Sequence, residues 1–259
     1  MAMKKLIALT IALFAICSAM PAVASSGGDH DLIQQSDANS GDRESLQRGS
    51  KYFMNYCLSC HSLKYMRYSR MAEDLGLSEA EVMGSLNFTG AKFGETMTVA
   101  MQLDDGATWF GAPPPDLSLV ARVKHGGADW IYSYLKAFYV DPKRPLGWNN
   151  KVFPGASMPN VLWELQGTQA AVYETKKSHG LDGKEVTAQV FSHFEPITAG
   201  RLNAKEYDQV ARDISAFLEY VSDPTANQRE STGWIVILFL AFLTFLAWLL
   251  KTEYWSDVH

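Results

Sequence analysis

Tyr56-Cys57-Leu58-Ser59-Cys60-His61 is the stretch on which the reading of this chain turns. Two thiols three positions apart, with an imidazole directly after the second, form the attachment pattern of a c-type haem. Two thioethers fix the porphyrin edge, and His61 can then swing onto the iron as proximal ligand. A thioredoxin-like pair would follow a strand and open a helix. Here a helical pattern leads into the pair: Leu46, Gly49, Phe53 and Cys57 recur three or four apart behind Asp42, a candidate N-cap. A zinc site would need two more Cys or His ligands in matching spacing, and the one other cysteine is Cys17.

Upstream, Lys4 and Lys5 precede an apolar run from Leu6 to Ile16, and small residues end in Ala22-Val23-Ala24. This is the anatomy of a secretory signal, residues 1–24, with cleavage after Ala24. A lipoprotein reading of Cys17 is disfavoured by bulky Ile16 before it. Cleavage leaves Cys57 and Cys60 alone in the mature chain and takes the formal charge from −5 to −7. An acidic chain of this kind argues against nucleic acid and favours basic partners. Residues 25–228 are then an exported haem domain with a loose, polar start up to Asp42. Downstream, Gly233 to Leu250 carries no charge. About 18 residues at about 1.5 Å each reach roughly 27 Å, enough to cross a hydrocarbon core. Trp234, Trp248, Tyr254 and Trp255 stand where interfacial anchors do. The spacing predicts an anchor over 229–251 and a cytoplasmic tail over 252–259.

Between Arg67 and Lys151 the chain is broken by Gly and Pro, including Pro113-Pro114-Pro115 and Asp141-Pro142. Short helices are expected over 78–86 and 128–139. A longer one is expected over 204–222, with Asn203 and Glu206 as a capping box and an apolar stripe through Tyr207, Val210, Ile214, Phe217 and Val221. Gly49 offers that stripe a close crossing with the first helix. With no strong alternation of strands, the expected class is all-α: a cytochrome c-like helical haem domain with long loops plus one C-terminal transmembrane helix. For the sixth iron ligand the candidates are His30, His125, His179, His193 and several methionines. Met66 and Met71 lie too near His61 in sequence to reach the other haem face easily, and Met97 and Met101 read as a buried stripe. Met158, in Phe153-Pro154-Gly155-Ala156-Ser157-Met158-Pro159, sits in a proline-restrained loop that lowers the entropy cost of holding a thioether on iron.

Further pieces follow in order: Arg48-Gly49; Ser62, Tyr65 and Tyr68 after the motif; Pro114-Pro115-Asp116-Leu117-Ser118 with Arg122 and His125-Gly126-Gly127; Asn150 to Gly155; Met158-Pro159; and Asp213 to Tyr220. With its terminal span the chain resembles the cytochrome c1 family, the haem subunits of the cytochrome bc1 complex, in its bacterial form. The resemblance implies one covalent haem c with His61 and Met158 as axial ligands. It implies Arg122 near a haem propionate, Tyr65 as a further propionate partner, and Pro114 and Pro115 lining the crevice. It also implies cytochrome b and a Rieske iron-sulfur protein as companions in a dimeric, lipid-embedded complex. A soluble or membrane-bound c-type cytochrome would be the acceptor, with Asp104 and Asp105 available to steer it. The setting implied is a bacterial inner membrane, haem domain in the periplasm and C-terminus in the cytoplasm, in an electron-transfer subunit without an active site of its own. Trp109-Phe110 departs from the asparagines of many relatives, and no disulfide is possible once both mature cysteines are thioethers. The rivals are a peroxidase or gas binder, which needs an open distal site, and a membrane-anchored monohaem cytochrome serving another oxidase or reductase.

Overall fold

The Asp42 carboxylate accepts hydrogen bonds from the backbone N–H of Glu44 (3.1 Å) and Ser45 (3.2 Å), and so starts α1, Arg43–Tyr56. The chain is seen here in a computed structural model that describes residues 32–99, 101–179 and 185–256. The expected signal segment and His30 lie outside the described residues. After α1 come β1 (Leu63–Arg67), α2 (Tyr68–Leu75), α3 (Glu79–Ser85), β2 (Thr96–Met97), α4 (Leu103–Phe110), α5 (Val120–Val123) and α6 (Gly127–Lys136). Then follow β3 (Phe138–Val140), β4 (Trp148–Asn150), α7 (Trp163–Gln166), β5 (Gly167–His179), β6 (Glu185–Ala199), α8 (Ala204–Ser222) and α9 (Ala226–Tyr254).

The core is the crossing of α1 on α8. Asn203 caps α8 through Lys205 N (3.0 Å) and Glu206 N (3.0 Å), and Glu206 returns a bond from Asn203 N at 2.9 Å. At the crossing, a Cβ on Gly49 would overlap the Asp213 carbonyl oxygen and stand 2.8 Å from Phe217 Cβ. Only a glycine lets the two backbones come this close. Phe53 and Phe217 meet one turn on, with ring centroids 5.7 Å apart. Asp213, 1% exposed, is held by Arg48 Nε (2.7 Å) and Nη2 (3.0 Å), Ser45 Oγ (2.6 Å) and Gln209 Nε2 (2.9 Å). A carboxylate this buried is tolerated because its oxygens are met by a fork and two polar donors.

A second joint lies where α8 ends. The carboxylate of Asp223 receives Arg122 Nη1 at 2.8 Å and Arg229 Nη2 at 2.6 Å. Three residues, Asp223 to Thr225, separate α8 from α9. The 29 residues of α9 form one helix long and apolar enough to cross a membrane, with none of its apolar window buried in the protein. It is a candidate anchor.

The all-α expectation needs correction. The helices dominate, but β5 and β6 pair antiparallel from Gly167↔Ala199 outward. Two further small pairs, β1 with β2 and β3 with β4, tie the loops. The long hairpin lacks a clean apolar–polar alternation for two reasons. Much of it is exposed on both faces, as at Tyr173, Val190 and Ile197, so neither face must be apolar. Irregularities between Thr168 and Gln169 and between Val172 and Tyr173 also shift its register. An aromatic set braces it: Tyr173 of β5 meets Phe191 of β6 at 6.2 Å across the strands, Phe194 lies 4.8 Å from Phe191 along β6, and Lys151 Nζ stands 5.0 Å over Phe191. Helix α6 likewise stops at Lys136 instead of reaching residue 139. Phe138 to Val140 leave it to pair with Trp148 to Asn150, so tertiary pairing overrides the helical pattern.

Candidate functional site

Cys57 caps α1, its N–H bonded to Phe53 O at 2.8 Å, and the N–H groups of Cys60 (3.0 Å) and His61 (2.8 Å) both return to Cys57 O. One tight turn therefore puts the two thiols and the imidazole together at the helix end. Cys57 is buried and Cys60 half-buried. Burial pushes the Cys57 thiol up to about 12, with Cys60 adding to the shift. Thioether formation would remove that proton altogether.

His61 is 8% exposed. Its Nδ1 lies 2.8 Å from the Pro115 carbonyl oxygen. A carbonyl can only accept, so Nδ1 carries the hydrogen and Nε2 keeps its lone pair for a metal. Burial pulls the imidazole below its ordinary value, the Pro115 bond partly opposing this, so the neutral, ligating form is favoured. Proline at 115 frees nothing of its own to donate, and the backbone around it is zipped to the haem motif. Leu117 N donates to Ser62 O (2.9 Å), Lys64 N to Asp116 Oδ2 (2.9 Å), and Tyr65 N to Ser118 Oγ (3.1 Å). Pro114 packs on α4, where a Cβ on Gly106 would meet Pro114 Cδ at 2.8 Å.

Met158 is held by α6 and β4. Asn150, 0% exposed, accepts from Val152 N (2.9 Å) and Phe153 N (3.1 Å) and donates to Tyr134 O (2.8 Å). Arg144 Nη2 braces Gly155 O at 2.6 Å. Tyr134 Oη donates to Met158 Sδ at 3.5 Å, and burial pushes that hydroxyl above the usual phenol range. Met66, Met71 and Met97 are all buried in the hydrophobic core, as packing residues are. Tyr65 contributes its backbone to the zipper while the residue is 73% exposed. The Arg122 guanidinium is engaged with Asp223.

A cavity of about 800 Å³ lies elsewhere, between the base of the hairpin and α6 and α8; His193, one of the sixth-ligand candidates, lines it, while Cys57, Cys60, His61 and Met158 do not. Among the described residues no three or more His, Cys, Asp or Glu come together as a possible metal-ion site. The donors present suit a haem: paired thiols on one turn, an oriented neutral imidazole, and a thioether on a restrained loop. Sequence reasoning had missed Tyr134 and the orienting role of the Pro115 carbonyl. Tyr134 lies one helical turn after Trp130, and that spacing was its only signal.

A helix-end cysteine pair followed by an oriented histidine is the arrangement that c-type haem electron carriers use, and here it stands on a chain with a candidate membrane anchor. The family model described as "Cytochrome C1 family" matches residues 34–103, 95–178 and 200–258. The chain belongs to the cytochrome c1 family, and the family implies a haem c cofactor. It is 47% identical to "Cytochrome c1" of Allochromatium vinosum over 257 residues, 99% of this chain and 100% of that one. It is 39% identical to "Ammonia monooxygenase gamma subunit" of Nitrosomonas europaea over 239 residues, 92% and 94% of the two chains. It is 30% identical to "Cytochrome c1" of Rhodospirillum rubrum over 236 residues, 84% and 83%. All of β6 falls between the stretches that the family model matches.

Proposed function

We propose that this chain, a haem-bearing electron-transfer subunit of a bc1 complex, binds one haem c through thioethers at Cys57 and Cys60, with His61 proximal and Met158 distal. The observation that carries the reading is the 2.8 Å bond from His61 Nδ1 to Pro115 O, which aims the other ring nitrogen of the motif histidine at a metal. Haem c, when bound, supplies one-electron redox chemistry without substrate contact at the iron. The chain's own residues orient the imidazole, restrain the thioether loop and cover the site. Pro114 and Pro115 line it. Arg122 serves a propionate by exchanging its Asp223 partner, and Tyr65 lies on the exposed side of the same segment. A Rieske iron-sulfur protein is the donor, a c-type cytochrome the acceptor, and cytochrome b the companion in a dimeric complex. In this reading a signal over 1–24 is cleaved, α9 is the anchor, and the haem domain lies on the periplasmic side of a bacterial inner membrane with the tail in the cytoplasm.

The test is purification of the detergent-solubilised full chain with its companions. Cytochrome b and a Rieske protein are expected to co-purify, and covalent haem staining on a denaturing gel is expected to vanish in Cys57→Ser/Cys60→Ser. Stain persisting in that double variant would remove the attachment. The name of the Nitrosomonas relative, "Ammonia monooxygenase gamma subunit", favours a second reading, service to another membrane oxidoreductase; companions other than cytochrome b would decide for it.

Asp104 and Asp105 form the acidic first turn of α4, the helix that packs through Gly106 on Pro114. Reduction of a basic acceptor should slow as salt rises from about 10 to about 300 mM, over which the Debye length falls from about 30 Å toward 6 Å. Asp104→Asn/Asp105→Asn should flatten that dependence in stopped-flow measurements.

A further inference from the structure

Trp130 and Tyr134 lie four residues apart on α6 and so share a face. Their rings stack with centroids 5.0 Å apart and planes at 10°, and Phe138 meets Tyr134 edge-on at 5.0 Å. Phe153, from the Met158 loop, packs edge-on against Trp130 at 6.4 Å. The Tyr134 carbonyl meanwhile takes the Asn150 bond that fixes the same loop. Two rings thus pack against Tyr134 and restrain the direction of its ring.

We infer that Tyr134 is a positioning residue for the distal sulfur, its hydroxyl donating to Met158 Sδ at 3.5 Å and thereby raising the redox potential of the site. This rests on Met158 being the distal ligand. A thioether sulfur has two lone pairs. With one directed at a metal, the second is free to accept the phenolic hydrogen. That bond draws density from the sulfur, weakens its donation most where the metal is most electron-poor, and so disfavours the ferric form. The same bond restricts the Met158 side chain to rotamers that present the sulfur to one side. This control comes from α6 and not from the haem motif.

The experiment uses the full-length holoprotein in detergent, with redox titration and the long-wavelength ferric sulfur-to-iron charge-transfer band as readouts. In Tyr134→Phe the rings still stack, so the band and the melting temperature should persist. The ferric-to-ferrous ratio at a fixed ambient potential should rise at least threefold, a tenfold rise corresponding to 59 mV for a one-electron couple. Loss of the band in that variant, with haem still attached, supports the inference too, since the hydroxyl is then needed to hold the sulfur. A ring-fluorinated tyrosine at 134, a stronger donor, should shift the ratio the other way. Trp130→Phe alters the stack and keeps the hydroxyl, and should leave the ratio unchanged. An unchanged ratio in Tyr134→Phe with the band intact, or an equal shift in Trp130→Phe, overturns the inference. A wild-type protein with no band overturns the Met158 assignment instead, and the two failures are distinguishable.

Discussion

Met158→Leu is expected to lower the midpoint potential of the full-length holoprotein by on the order of 0.1–0.2 V, within the roughly 0.8 V range that axial ligands command. Leucine fills similar volume without a lone pair, so the fold should survive. As an iron ligand the thioether would favour the ferrous state because it is a soft donor, and removing it would withdraw that preference. The vacated position should also admit carbon monoxide rapidly in the ferrous form, which the wild type should resist. Both readouts are spectroscopic. A potential that does not move, with carbon monoxide still excluded, would assign the sixth position to another side chain. The restraint on the loop makes the experiment clean: Asn150 and Arg144 hold its backbone independently of the sulfur.

Gly49→Val should be the most damaging single change away from the haem motif. Even the first carbon of a side chain would overlap the Asp213 carbonyl oxygen, and the neighbour is backbone that cannot swing aside. The helices must separate, and Asp213 would then lose the close fit that places Arg48 and Ser45 on its oxygens. Overpacking of this kind costs about 1–3 kcal/mol, and loosening a buried ion pair adds to it. A total of about 3 kcal/mol corresponds to a fall in Tm of roughly 6–12 °C for a domain of this size. Thermal denaturation by circular dichroism would show it, and a shift below 2 °C would mean that the crossing can slide. Arg48→Lys, which keeps charge but not the fork, should lose less.

Features encoded over a few residues were legible in the sequence. Asp42 and Asn203 as caps, the Gly49 crossing and the apolar span could be read because each depends on residue types at fixed short spacing. The cysteine–histidine motif belongs to the same group. The hairpin could not be read that way. Its strands face water on both sides, so selection for alternation is weak, and its irregular register blurs what remains. The end of α6 was equally hidden, since Phe138 to Val140 suit a helix until Trp148 to Asn150 arrive beside them. At the candidate site, His61 was singled out by its neighbours in sequence, and Met158 by its proline-bounded loop together with the family resemblance. Their partners, the Pro115 carbonyl and the Tyr134 hydroxyl, are long-range contacts of ordinary residues and carry no local mark. For Arg122 the family resemblance implied a propionate partner; in the structure its guanidinium meets Asp223, just past the end of α8, a long-range contact that no local pattern marks.

That carboxylate, shared by Arg122 and Arg229, has a mechanical meaning. Three residues can span at most about 11 Å even when stretched, and the ion pairs shorten the usable length further by riveting both neighbours of the gap to one point. With α9 as a membrane anchor, the haem domain would be held close to its stem, with little reach across the membrane surface toward a distant carrier. Whatever shuttles charge to and from it must do the travelling.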